Sequence, residues 1–334
     1  MHLEPSSTHA SLARSLHQPA MHTMSASRRY WFILNPAANH GKAKRHVKPL
    51  QYALKARQVD TTIQLTTKPH DATEFARAVK CSVDTVVACG GDGTFNETAQ
   101  PLIHSDTALG CIPMGSGNDF YSNLSCNSVP RRIRLEHAIE KVLCHATHTI
   151  DTGQVSFQRH GFDVQRAFLN SLGIGFTGEI ARVAKLVPHL RGDLIYLYAL
   201  WIVARTHRAA PMTFELHTPH GIQTVTENVF SVMIGNGRRE GGKFWIAPEA
   251  NMRDGWLDIC ILKAFPMVQL PYWVSTFMRG IHIHTSQVIY TKIKHAVIHL
   301  SRPESMHLDG EVYEHVEGCI SVSVMPNSLH VVAI

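Results

Sequence analysis

The sequence predicts a doubly wound α/β domain followed by a β-rich domain with an antiparallel, sandwich-like sheet. Three observations carry this. Short apolar strands alternate with helical stretches up to about residue 149, and period-two or β-branched runs dominate afterwards. Two glycine-rich turns also follow apolar strands in the first half, where an open parallel sheet gathers its ligands.

In chain order, Tyr30–Leu34 reads as a strand and a helix follows Gly41. A second strand spans Thr62–Thr66, and Asp71–Val79 has the pattern of a helix. The apolar run Thr85–Cys89 fits a buried parallel strand, and Leu109–Ile112 fits another. Beyond Ile150, the runs Val229–Ile234, Leu257–Leu262 and Ala296–Leu300 predict antiparallel strands with a few inserted helices. The expected domains are 28–149 and 150–322. A Ser-, His- and Ala-rich leader over 1–27 is expected to be disordered, and a C-terminal segment, 323–334, is expected to return to the first domain.

Composition narrows the function. In 334 residues, 44% apolar and 17% charged content describes a soluble globular chain long enough for two cores. The net charge of +6 suits an anionic ligand, an anionic membrane surface or nucleic acid. Nucleic acid is set aside, because the sequence has no zinc spacing, RNA-binding aromatic motif or long basic run. Seven widely spaced cysteines predict core packing in a reducing compartment, and the leader lacks the apolar core of a secretory signal. The 23 histidines form no metal motif; His282 and His284 would share one face of a strand. The apolar run 194–204 is shorter than the roughly 20 residues that span a bilayer and reads as a buried helix. Its Trp and Tyr residues, followed by Arg205 and Arg208, make a membrane-facing helix the alternative.

The chemistry lies in the turns. Gly90-Gly91-Asp92-Gly93-Thr94 follows a strand and opens a helix that carries Asn96. Its glycines allow positive φ and leave no Cβ between backbone and ligand, so N–H groups at a helix start can face an anion. By itself the loop reads first as a tight strand-to-helix turn with a solvated Asp. A second turn, Gly115-Ser116-Gly117-Asn118-Asp119, offers backbone N–H groups and a hydroxyl to phosphate oxygens and a carboxylate to a metal or hydroxyl, while Asn118 and Asp119 also suit a helix cap. Two such turns on one sheet favour a nucleotide, yet the chain has neither a Walker motif nor a dinucleotide fingerprint. A third loop, Asn35 to Lys42, supplies an amide that can bridge loops and a lysine within reach of phosphate.

The ordered series Asn35-Pro36, Gly90-Gly91-Asp92-Gly93-Thr94, Gly115-Ser116-Gly117-Asn118-Asp119-Phe120, Gly235-Asn236-Gly237, Asp254-Gly255-Trp256 and Leu308-Asp309-Gly310-Glu311 resembles the diacylglycerol kinase catalytic family. The resemblance runs from about Tyr30 to the C-terminus. The first loop lacks the Ser-Gly common in that family, and Ser116 stands where Thr is common. The Gly-Gly-Asp-Gly loop is shared with NAD kinases and phosphofructokinases, whereas the Gly115 turn and the late Asp-Gly-Glu point to lipid kinases. The implied fold is the nucleotide-binding domain of NAD kinase and diacylglycerol kinase type followed by a β-sandwich-like domain. The implied cofactors are ATP and Mg2+.

By the resemblance, Asp309 is the general base with Glu311 beside it, and on an extended strand the two would face one side. A surface turn bearing two acids is the other reading. Asp92 and Asp119 are expected near the phosphates and magnesium, and Thr66 is a further nucleotide contact. Asp254, with backbone oxygens of Asn251 and Trp256, is implied to bind a structural magnesium; an ordinary hairpin turn without an ion is the alternative. The expected activity is ATP-dependent phosphorylation of a lipid hydroxyl, diacylglycerol-like or sphingoid-like, by a cytoplasmic protein in transient contact with an anionic membrane. A homodimer is left open. The rivals are a kinase for a soluble acceptor, as in NAD kinase, and a lipid-binding member without turnover.

Overall fold

The computed structural model describes residues 28–124, 134–144, 146–186 and 193–333, so the predicted leader lies outside the described residues. The first half comprises β1 (Tyr30–Leu34), α1 (Val47–Ala56), β2 (Thr61–Leu65), α2 (Asp71–Val79), β3 (Thr85–Gly90), α3 (Asp92–Ala99), β4 (Ala108–Pro113), α4 (Asp119–Leu124) and α5 (Leu135–Cys144). The four strands lie parallel in the order β2-β1-β3-β4. Alternate side chains feed opposite cores, as strand geometry dictates. Phe32, Leu34, Val87 and Cys89 pack with Leu50, Leu54 and Ile139, which brings α1 and α5 to one face. Ile33, Val86 and Ala88 pack with Ala72, Ala76 and Phe95, which brings α2 and α3 to the other.

The second half comprises β5 (Thr147–Arg159), β6 (Phe162–Phe168), β7 (Ser171–Gly175), α6 (Phe176–Leu186), α7 (Asp193–Thr206), β8 (Ala210–Thr218) and β9 (Gly221–Gly235). Then follow β10 (Arg239–Glu240), β11 (Phe244–Trp245), β12 (Leu257–Lys263), α8 (Leu270–Arg279), β13 (Val288–Ile293), β14 (His295–Leu300), β15 (Glu304–Leu308) and β16 (Glu311–Val332). Pairings β7-β9-β8-β14-β16-β15 return to β7 and close an antiparallel, barrel-like ring. Along β8, Ala210, Met212, Phe214 and Leu216 are buried in strict alternation, and most of them join the ring's core.

β16 ties the two halves together. It runs 22 residues, lies opposite β5, and ends parallel to β4 at Val331↔Leu109. Leu329 and Val331 are buried in a core of the first half. Helices α6, α7 and α8 share a further core with β9 and β12 on the outside of the ring.

Two local expectations change. His282 and His284 do not share a strand face: Gly280 ends α8 at φ 71°, and the chain turns through a short 3-10 segment. His282 is buried and stacked on Phe277, and burial pushes its pKa down to about 4. The run 194–204 is helical but only partly buried. Ala199 and Val203 face the core, whereas Leu197, Tyr198 and Trp201 are exposed.

Candidate active site

The two glycine turns meet at the carboxyl ends of β3 and β4. The amides of Met114 and Gly115 both donate to the Gly90 carbonyl, at 2.7 and 3.1 Å. None of the glycines at 90, 91, 93, 115 and 117 has φ above zero, and Gly90, Gly91 and Gly115 serve close approach instead. A Cβ on Gly115 would lie 2.5 Å from the Gly91 Cα. Asn118, at φ 57°, takes the left-handed position and closes the second turn on Gly115 through both ends of its amide.

Asp92 Oδ1 accepts the Phe120 amide at 2.9 Å, which caps α4. The Asp119 carboxylate accepts the amides of Gly241 and Gly242, each at 2.7 Å. Burial holds both carboxyls above their usual range; the charge of Asp309 adds to it at Asp92, and the charges of Asp92 and Glu240 add to it at Asp119, which is pushed up to about 7. A hard dication would relieve the disfavoured charge of these two half-buried carboxylates, and Lys42 and Arg45 bring positive charge to the same end of the cleft. Ser116 and Gly117 line the cleft too. Asn35 and Thr66 act from behind: Asn35 Nδ2 donates to Thr94 Oγ1 at 3.2 Å, and the buried Thr66 donates its amide to Leu34.

Asp309 belongs to the other half. It does not lie on an extended strand with Glu311: Asp309 and Gly310 have φ 47° and 84° and form the two-residue turn between β15 and β16. An Asp-Gly pair favours that positive-φ hairpin. Glu311 is therefore exposed on the first residue of β16, while Asp309 points into the cleft. The Asp309 carboxylate accepts four N–H donors, from Leu169, Asn170, Ser171 and the Asn96 side chain, at 2.7 to 2.9 Å. The Asn96 side chain, on the helix that the first glycine turn opens, lies on Asp309. Burial outweighs these donors and leaves the Asp309 carboxyl above its usual range.

Several residues outside the two glycine turns and the Asp-Gly-Glu motif also build the site. Asn170 donates to the Arg239 carbonyl, and its Oδ1 accepts Asn123 Nδ2 at 2.6 Å. Asn236, in the Gly-Asn-Gly series, bridges the carbonyls of Asp151 and Leu169. Glu240 and the fully buried His307 form an ion pair, Oε1 to Nε2 at 3.1 Å, although the ring N–H is not aligned for a hydrogen bond.

At the segment Asn251–Trp256, Asp254 Oδ1 accepts the Trp256 amide, and Oδ2 is held at 2.7 Å by Lys292 Nζ, which also reaches the buried Asp258 at 3.3 Å. The Asn251 carbonyl accepts the Asp254 amide. A tethered ammonium thus stands where the resemblance implies a structural magnesium, and the donor set does not fit a second cation there. Nor is the segment a hairpin, since β12 pairs with β9 and β13 while β11 pairs with β10.

From these carboxylates a cleft of about 1370 Å3 extends into the second half. Its far part is apolar, lined by Phe176, Ile180, Leu200, Phe230, Trp273 and Phe277. Among the described residues, no helix is long and apolar enough to cross a membrane.

Comparison with known proteins agrees with this geometry. Residues 29–155 match the diacylglycerol kinase catalytic domain, and residues 170–333 match the YegS C-terminal NAD kinase beta sandwich-like domain. A diacylglycerol kinase of Bacillus subtilis is 29% identical over 283 residues, covering 84% of this chain and 88% of that protein. A diacylglycerol kinase structure from Bacillus anthracis superposes with a TM-score of 0.67 at 20% identity, over 93% of this chain and 98% of that one. Yeast NADH kinase complexed with NADH gives 0.50 at 10% identity, over 92% and 84%. At these identities the structural likeness is one of fold. With both halves matched in order, the chain belongs to the diacylglycerol kinase catalytic family and is a kinase acting on an alcohol.

Proposed function

We propose that the chain transfers the γ-phosphoryl group of ATP to the hydroxyl of a membrane lipid, with Asp309 as general base. The observation that carries this reading is the single cleft, with half-buried carboxylates at one end and an apolar lining at the other. A soluble acceptor would gain nothing from the apolar half, whereas acyl chains bury there. The glycine turns, with Lys42 and Arg45, bind and orient the phosphates. Asp92 and Asp119 hold Mg2+, which when bound neutralises charge developing on the transferred group. Asp309 takes the proton from the acceptor hydroxyl as the new P–O bond forms and ADP leaves. Its raised pKa suits that task. The exposed Leu197, Tyr198 and Trp201 of α7, with Arg205 stacked 4.7 Å over Trp201, would meet an anionic bilayer.

A panel of lipid acceptors, read by mass of the phosphorylated product, tests the reading. A hydroxyl lipid, diacylglycerol first among them, should be phosphorylated, and label confined to the aqueous phase would refute the lipid assignment. Asp309→Asn should lower turnover by about 10²–10⁴-fold with ATP binding kept; full activity in that variant would remove the base assignment.

A further inference from the structure

We infer that the Glu240–His307 ion pair is a positioning strut that fixes the spacing between the carboxylate at the phosphate end of the cleft and the carboxylate at the acceptor end. This rests on the reading of Asp309 as the base. The two carboxylates sit on separate pieces of chain. Asp119, on α4, is hooked by the amides of Gly241 and Gly242, which follow directly on Glu240. Asp309 follows β15, the strand that carries His307 two residues earlier. A 3.1 Å contact between Glu240 Oε1 and His307 Nε2 therefore joins the hook to the strand of the base.

The surroundings make the joint stiff. His307 is fully buried on β15 and packs over β7 at Gly173, where a Cβ would collide with its Nε2. The neighbouring Arg239 turns away, with its guanidinium 3.6 Å above the Trp245 ring across the β10–β11 pair, so Glu240 is directed inward. Ser171, which starts β7, gives its amide to Asp309. Each partner favours the charged form of the other: His307 holds the Glu240 carboxyl below its usual range, and Glu240 keeps the imidazole above its own despite burial. A buried ion pair is weak as a source of stability and better suited to fixing one arrangement. In phosphoryl transfer, where positioning supplies much of the rate, a displacement of about 1 Å costs on the order of 10²-fold.

The test uses the full chain and its Glu240→Gln, His307→Gln and double variants, with ATP and dioleoylglycerol in mixed micelles. Each single change should lower kcat by about 10–100-fold with the KM for ATP held within about twofold. Hydrolysis of ATP by water should rise relative to lipid phosphorylation. The double variant should be no worse than either single one, because one strut can be cut only once. Effects that multiply in the double variant, or an unchanged coupling ratio in the single ones, would overturn the strut. Hydrogen exchange at the Gly241 and Gly242 amides is an arm independent of the acceptor: faster exchange in every variant supports the inference, and unchanged protection refutes it. If the native chain leaves dioleoylglycerol untouched, the diacylglycerol assignment fails while the exchange arm still decides the strut.

Discussion

The two ends of the cleft hold their carboxylates by the same means, backbone N–H donors, but they assemble them differently. At the phosphate end, the Gly91 and Gly115 turns are short contiguous stretches that meet because β3 and β4 are neighbours. At the acceptor end, Asp309 is cradled by a turn between β6 and β7 and by Asn96 from the first half. A contiguous turn writes its purpose into the sequence. A cradle assembled from distant strands exists only after folding.

The largest effect should come from disturbing the contiguous end. Gly115→Ala places a Cβ 2.5 Å from the Gly91 Cα, and both atoms are backbone-bound, so one turn must move. We expect kcat/KM for ATP to fall by about 10²-fold, because a shift of that size misaligns the phosphates. A near-normal value would show that the turns do not depend on their contact.

The next effect concerns the two places where a cation was expected. Asp92 and Asp119 crowd together, whereas Asp254 and Asp258 share Lys292. Lys292→Met leaves the buried Asp258 with only the Tyr290 hydroxyl as a partner. Allowing for partial exposure of the lysine, the loss should be about 2 kcal/mol, roughly 5 °C in Tm. In an Asp92→Asn, Asp119→Asn background, which removes the cation proposed at the phosphate end, chelation of divalent ions should leave Tm unchanged. A Tm that falls with chelator would restore the structural magnesium at Asp254.

What was legible follows the same division. Strands β1 to β4, their parallel sense and the two turns could be read because they follow from local patterns of apolar residues and glycines, whereas the order β2-β1-β3-β4 comes from the fold. The purpose of the glycines was legible in part: the missing Cβ is required, but for the contact between Gly91 and Gly115, which exists only in the fold, and positive φ is not. Asp309 was legible through its Asp-Gly-Glu motif, but its placement in a turn, with Glu311 exposed, follows from the hairpin preference of Asp-Gly. Asn123, Asn170 and the Glu240–His307 pair left no trace, because their partners lie on other strands. The exposed side of α7 was legible only as the alternative to a buried helix, because apolarity on every face of a helix does not reveal which face the core takes.

A smaller effect would sharpen the acceptor end. Ile180 lines the apolar part of the cleft from α6. Ile180→Trp should raise the KM for a long-chain lipid by about tenfold, within the range for one misfitted group in an apolar pocket. A short-chain lipid should lose less, and the KM for ATP should not change. Equal losses for both lipids would place the chains elsewhere.

The smallest effect is one of pH, and it again separates the two ends, since the Glu240–His307 pair belongs to neither motif. The Glu240 carboxyl is held below its usual range, so its contribution to stability is present above the unfolded glutamate value of about 4.3 and is lost as pH falls through the folded value. The His307 imidazole is held above its usual range by Glu240, with Asp309 adding to the effect and Lys185 opposing it. Its contribution is therefore full below about 6.5 and is lost as pH rises through the folded value. Both contributions coexist between about pH 4.3 and 6.5, so the stability gap between the native chain and His307→Gln should be widest there and should narrow in alkaline buffer. Urea unfolding of both proteins at about pH 5.5 and pH 9 measures that gap. A gap of equal size at both pH values would mean that the imidazole is neutral in the folded chain and that Glu240 is held by packing and Ser171 alone.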